Sequence, residues 1–143
     1  YGLIIADIPG LIEGAAEGRG LGHKFLRHIE RTKALLHCIS SEIEDPLKAY
    51  RVVRNELELY NYPARPDDSG RSGGDMINQP DKNVLAGKPE IVVLTKVDMI
   101  SKEEQDRKLK LLENIAHNTL PISILDDKLV KKLGNHLMKA FKS

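Results

Sequence analysis

An α/β fold, a mostly parallel sheet covered by helices, is what this chain of 143 residues predicts. Three observations predict it. Strand-like and helix-like segments alternate along the chain. The strand-like ones are short apolar runs, as suits strands buried on both faces. Candidate ligand-binding residues follow directly after those runs, at the strand carboxyl ends where open α/β sheets bind ligands.

Leu3–Ala6 reads as the first strand. Beyond a glycine-rich stretch, Phe25, Leu26 and Ile29 form one face of a short helix. Ala34–Ile39 is a second, fully buried strand. Asp45-Pro46 opens a helix, because proline suits a first turn, and Leu47, Tyr50, Val53 and Leu57 recur along its inner face. From Asn61 to Gly87 the composition turns to Pro, Gly, Ser, Asp and Asn. That stretch is too long for an ordinary connection inside a domain, and it is expected to be a flexible insertion over residues 61–87. Glu90–Leu94 is the third buried strand. Ser101 caps the next helix, with Glu104 completing a capping box and Leu109, Leu112, Ile115 and Ala116 as the apolar face. Leu120–Ser123 is a short last strand, and Leu129, Val130, Leu133, Leu137 and Phe141 face inward from a terminal helix.

The length suits one domain with a core of its own. Lys and Arg number 22 against 21 Asp and Glu, so no global field argues for nucleic acid or membrane binding. The single cysteine, Cys38, excludes an internal disulfide framework and fits a reducing, cytoplasmic setting; within its apolar run it reads as a buried, inert thiol. No apolar run approaches the ~20 residues that span a bilayer, and no signal peptide is recognisable. Tyr1 stands where a start would have Met and leads almost at once into a strand, so a piece of a longer protein is expected.

Three places carry candidate chemistry. Asp7, followed by Ile8, Pro9 and Gly10, ends the first strand. An Asp there can hold Mg²⁺, through a water, and Gly10 can offer its N–H to a terminal phosphate. The same residues also suit a plain strand-ending turn. Thr95-Lys96-Val97-Asp98 follows the third strand. A carboxylate there can accept hydrogen bonds from the ring N–H and exocyclic amine of guanine, a donor pair adenine lacks, with the Lys96 stem against the base; a solvated loop is the alternative. Ser123-Ile124, after the last strand, says little by itself. His23, His28, His37, His117 and His136 show no metal-ligand spacing, His37 reading as a satisfied core residue. The charged run Lys102 to Lys110 reads as a solvated helical face.

Together these residues resemble a known family. Asp7-Ile8-Pro9-Gly10-Leu11-Ile12-Glu13-Gly14-Ala15, then Gly18, Gly20, Leu21-Gly22-His23 and Phe25 through Thr32, is similar to the switch II region of the Obg family of bacterial GTPases, and Asp45-Pro46-Leu47 and the later loops continue the likeness. The resemblance covers nearly everything except the insertion. It implies a Ras-like P-loop NTPase fold of three layers, with residues 1–143 forming part of its G domain. It further implies Mg²⁺-dependent hydrolysis of GTP to GDP and a role in assembly of the large ribosomal subunit, by a cytoplasmic monomer.

Carried over by position, Asp7 belongs to the Mg²⁺ site, Ile8, Pro9 and Gly10 lie at the γ-phosphate, Thr95, Lys96, Val97 and Asp98 form the guanine-specificity motif, and Ser123 with Ile124 forms the loop closing over the base. Leu11 stands where many GTPases place a water-orienting Gln, which leaves the catalytic group unknown and implies slow turnover. Thr95 replaces the usual Asn and Ile124 the usual Ala, while Ser40-Ser41-Glu42 is shorter than the family's acidic loop.

No Gly-x-x-x-x-Gly-Lys-Ser/Thr loop occurs in these residues, nor the switch I threonine. The implied fold is therefore incomplete, its first strand missing from between Leu3–Ala6 and Ala34–Ile39, and this chain alone is expected to be poorly stable and to bind GTP weakly. An Obg-like ATPase is the nearest rival, and Asp98 argues for guanine. A nucleotide-gated ribosome-binding module with negligible hydrolysis, or an inactive truncated product, would also fit these residues.

Overall fold

The structure, a computed structural model, describes residues 3–7, 31–59 and 87–141. Among these, strands β1 (Leu35–Ser40), β2 (Glu90–Thr95) and β3 (Thr119–Pro121) form one parallel sheet in the order β1-β2-β3. Helices α1 (Pro46–Leu59), α2 (Lys102–Glu113) and α3 (Asp127–Phe141) alternate with them. This is the α/β architecture of an incomplete Ras-like P-loop NTPase fold. The expected insertion at 61–87 lies outside the described residues except for its last residue, and the helix expected around Phe25 and Ile29 lies wholly outside them.

Two compact units divide the chain: Tyr1–Gly10, Ala34–Arg51 and Pro89–Ser143 in one, Leu11–Lys33 and Val52–Lys88 in the other. In the second unit, Leu57 is buried, Arg54 and Glu58 pair one helical turn apart at 3.9 Å, and the Lys88 ammonium donates to the Thr32 carbonyl.

The first unit holds the sheet, and β2 explains its layers. Successive side chains of a strand point to opposite faces, so a strand that is apolar throughout must be covered twice. Val92 and Leu94 pack with Ile39, Val97 and Leu112, against Leu47, Ala49 and Tyr50 of α1 and Leu109 of α2. Ile91 and Val93 pack on the other face with Leu133, Leu137 and Phe141 of α3. Local chemistry fixes where the helices start. Pro46 opens α1 behind Asp45, whose carboxylate accepts the Lys48 N–H at 2.9 Å. Ser101 caps α2 by accepting the Glu104 N–H at 3.2 Å, and Asp126 caps α3 by accepting the Lys128 N–H at 2.9 Å.

Several expectations are corrected. Leu3–Ala6 is not a strand: residues 3–7 have no regular structure and are exposed, Ile4 at 97%. Among the described residues no strand lies on the outer edge of β1, so a ladder partner for this segment is lacking. Glu104 does not close the capping box; its carboxylate pairs with Lys108 instead, at 2.9 Å. Val130 and Ile115 are exposed rather than inward. The last strand stops at Pro121, two residues earlier than expected.

Cys38 is also exposed, not buried. It lies on the α3 side of β1 in register with Val93, at the sheet edge. Partial desolvation of the sulfur against the sheet, helped by the charge of Asp7, pushes its pKa up and disfavours the thiolate.

Candidate functional site

Beyond the carboxyl end of β2 the chain makes one sharp local turn. Lys96 adopts the left-handed conformation, φ 57° and ψ 37°, and a single 3₁₀ turn, Val97–Met99, follows. A side chain with a Cβ occupies that region at a cost of about 1–3 kcal/mol, so the surrounding structure must hold it there. It does so at several points. The Met99 N–H donates to the Lys96 carbonyl at 2.9 Å, and the Val97 N–H donates to the Ile122 carbonyl at 3.3 Å. Ser41 donates its hydroxyl to the same Lys96 carbonyl at 2.7 Å.

The second loop arrives from β3. The Ile122 N–H donates to the Leu94 carbonyl at 2.9 Å, tying the segment after Pro121 to β2. Ser123 is buried, and its hydroxyl accepts the Leu125 N–H at 3.1 Å. That bond closes a tight turn and leaves Ile124 and Leu125 exposed at its tip.

Between the two loops lies an open recess of about 630 Å³. Thr95, Lys96, Asp98 and Ile124 line it, with Met99 and Leu125 among its apolar walls and Leu36, Cys38 and Val93 on the sheet side. The structure thus gathers the expected residues Thr95, Lys96, Asp98 and Ile124 around one space, with Val97 and Ser123 buried behind it as supports. The Asp98 carboxylate is exposed and has no hydrogen-bond or ion partner among the described residues. An apolar slot with one unspent carboxylate is chemically suited to a flat heteroaromatic ring that carries adjacent N–H donors.

The Thr95 hydroxyl is already committed. It donates to the Ile39 carbonyl at 3.3 Å, tying β2 to β1. Lys96 is paired as well, its ammonium bonded to the Glu42 carboxylate. This bond from Lys96, with a weaker one from Ser40, holds the Glu42 carboxyl below the usual carboxylate range.

Of the residues expected at the phosphate end, Asp7 is described and exposed, and its charge acts on Cys38, a lining residue of the recess. Ile8, Pro9, Gly10 and Leu11 lie outside the described residues. Among the described residues no group of three or more His, Cys, Asp or Glu side chains converges on a metal position. A lone exposed carboxylate does not suit an all-protein metal cage. It does suit a Mg²⁺ that keeps its waters and takes further ligands from substrate phosphates.

Sequence reading misplaced Lys108 and, though it read His37 as a satisfied core residue, did not name its partners. Lys108, placed on a solvated helical face, is only 2% exposed; its ammonium donates to the Ser41 carbonyl at 2.7 Å and the Ile43 carbonyl at 2.8 Å. On the opposite sheet face, His37 stacks on Tyr50 at 5.2 Å and pairs through Nδ1 with Glu90 at 3.0 Å, while the Tyr50 hydroxyl donates to the other Glu90 oxygen at 3.0 Å. His37 is therefore satisfied inside the fold, away from the recess.

A family model described as 50S ribosome-binding GTPase matches residues 1–67. GTPase Obg of Anaplasma phagocytophilum (strain HZ) is 44% identical over 129 residues, covering 90% of this chain and 31% of that protein. GTPase Obg 2 of Anaplasma marginale (strain St. Maries) is 44% identical over 112 residues, covering 78% and 28% respectively. The chain spans under a third of the length of these curated relatives. No described helix is long and apolar enough to cross a membrane.

Proposed function

Because this chain belongs to the Obg family of GTPases, we propose that the recess beside Asp98 reads the guanine base of GTP and GDP in a nucleotide-hydrolysing regulatory protein of large ribosomal subunit assembly. One observation carries the reading: the two loops converge on one apolar slot whose only unpartnered carboxylate among the described lining residues is Asp98. In this reading Asp98 accepts hydrogen bonds from the guanine ring N–H and exocyclic amine. The Lys96 stem lies against the base, and the Ser123–Ile124 turn closes over it, with Ser123 shaping the turn rather than touching the ligand. Adenine presents no matching donor pair, so binding it would desolvate the carboxylate without compensation.

At the phosphate end Asp7 would hold Mg²⁺ through a water, and the Gly10 N–H would meet the γ-phosphate. When bound, Mg²⁺ supplies positive charge against the phosphate oxygens. Leu11 cannot polarise a water, and this favours a second reading in which nucleotide occupancy, rather than turnover, carries the signal to the ribosome.

Single-turnover GTP hydrolysis by the full-length protein, with and without large ribosomal subunits, separates the two. The enzymatic reading expects slow hydrolysis that the subunit accelerates. A rate equal to that of GTP in buffer under both conditions contradicts it and leaves the occupancy reading.

A further inference from the structure

Ser40, the last residue of β1, and the turn Ser41-Glu42 after it grip Lys96 at two points. Ser41 is fully buried, and its hydroxyl donates to the Lys96 carbonyl at 2.7 Å while its N–H donates to the Thr95 carbonyl at 2.9 Å. Glu42, exposed at the rim of the recess, pairs with the Lys96 ammonium. Ser40 steadies that carboxylate, its hydroxyl donating to Glu42 at 3.3 Å and accepting the Glu42 N–H at 3.3 Å. Beneath the loop, Lys108 holds the carbonyls of Ser41 and Ile43. Lys96 is the one non-glycine residue with positive φ among those described.

We propose that Ser41 and Glu42 are positioning residues for base recognition, holding Lys96 by its carbonyl and its ammonium so that its stem is set in place before a ligand arrives. The proposal rests on the guanine reading above and names what prepares that site. A lysine side chain has many rotamers, and a free one would lose that freedom on stacking against a base. Fixing both ends of the four-carbon stem removes most of that freedom in advance. The backbone grip has a second consequence. Asp98 follows Lys96 by two residues through a single turn, so the Ser41 bond that holds Lys96 in its left-handed conformation also sets where the Asp98 backbone lies. The ion pair acts on charge too. Glu42 and Asp98 are close enough for the charge of Asp98 to act on the Glu42 carboxyl. With Glu42 compensated by Lys96, Asp98 is left as the acceptor facing the recess.

The test uses the full-length protein, a fluorescent GDP and thermal unfolding, on Glu42→Gln, Glu42→Asp and Ser41→Ala. Glu42→Gln is expected to raise the GDP Kd about three- to fivefold, the range of an exposed ion pair, with an unchanged melting temperature. Glu42→Asp, which keeps the charge, is expected to recover part of the loss. Ser41→Ala is expected to raise the Kd about tenfold, because the Lys96 carbonyl loses its partner. A purely structural loop would move the melting temperature and not the affinity. If the unsubstituted protein binds GDP and Glu42→Gln binds it equally well, this proposal alone is overturned. If the unsubstituted protein binds no GDP, the guanine reading falls and this proposal with it.

Discussion

Asp98→Asn is expected to weaken GDP and GTP binding by the full-length protein about 10²- to 10⁴-fold, since two hydrogen bonds to a charged acceptor are worth about 1.5–3 kcal/mol each. The carboxylate accepts both guanine donors. An amide of the same shape accepts one and turns an N–H toward the other, replacing attraction by repulsion. The same substitution should improve binding of xanthosine diphosphate, whose carbonyl in place of the exocyclic amine accepts that N–H. Asp98 is exposed and supports no other described residue, so fold stability should change by less than about 0.5 kcal/mol. Calorimetric titration of the three nucleotides reads all of this. An unchanged GDP affinity would remove Asp98 from base recognition.

Lys108→Met should lower unfolding stability by about 2–3 kcal/mol. The substitution keeps an unbranched stem and deletes only the ammonium, leaving the Ser41 and Ile43 carbonyls without their shared donor. Replacing a whole buried ion pair by apolar groups is often harmless, but here the acceptors are backbone and stay behind. Urea denaturation should show a lower midpoint with the slope preserved. Lys102→Met, at an exposed pair on the same helix, is the control and should change stability by less than about 0.5 kcal/mol. Equal midpoints for the two variants would mean that Lys108 carries no structural weight.

The bond from Lys108 also gives the effect a pH dependence. It holds the Glu104 carboxyl below the usual carboxylate range. A carboxyl whose pKa is lowered on folding contributes above the unfolded-state value and ceases to do so as pH falls through the folded one. The gap between the parent and Lys108→Met should therefore narrow in acid.

The strands β1 and β2 and the helix starts were legible in the sequence because their causes are local. A run such as Ile91–Leu94 is apolar at every position, and the capping oxygens of Asp45 and Ser101 act within three residues of themselves. The loop from Thr95 to Asp98 was legible as a feature for the same reason, since it is contiguous and one left-handed residue bends it. What escaped is set by distant partners. Leu3–Ala6 has the composition of a strand, yet a strand exists only beside another, and the described sheet ends at β1. Lys108 sits among charges spaced like those of any solvated helix; only the arrival of the Ser41 and Ile43 carbonyls, more than sixty residues earlier in the chain, separates it from its neighbours. Glu42 shows the same limit, because nothing near it in sequence announces Lys96.

Selection of guanine by the recess beside Asp98 is the claim on which the rest depends. Equilibrium competition on the full-length protein tests it directly, with a fluorescent GDP displaced by unlabelled GTP or ATP. GTP is predicted to displace it at concentrations at least about a hundredfold below those that ATP requires. Displacement by ATP at equal or lower concentration would contradict the guanine reading of the site.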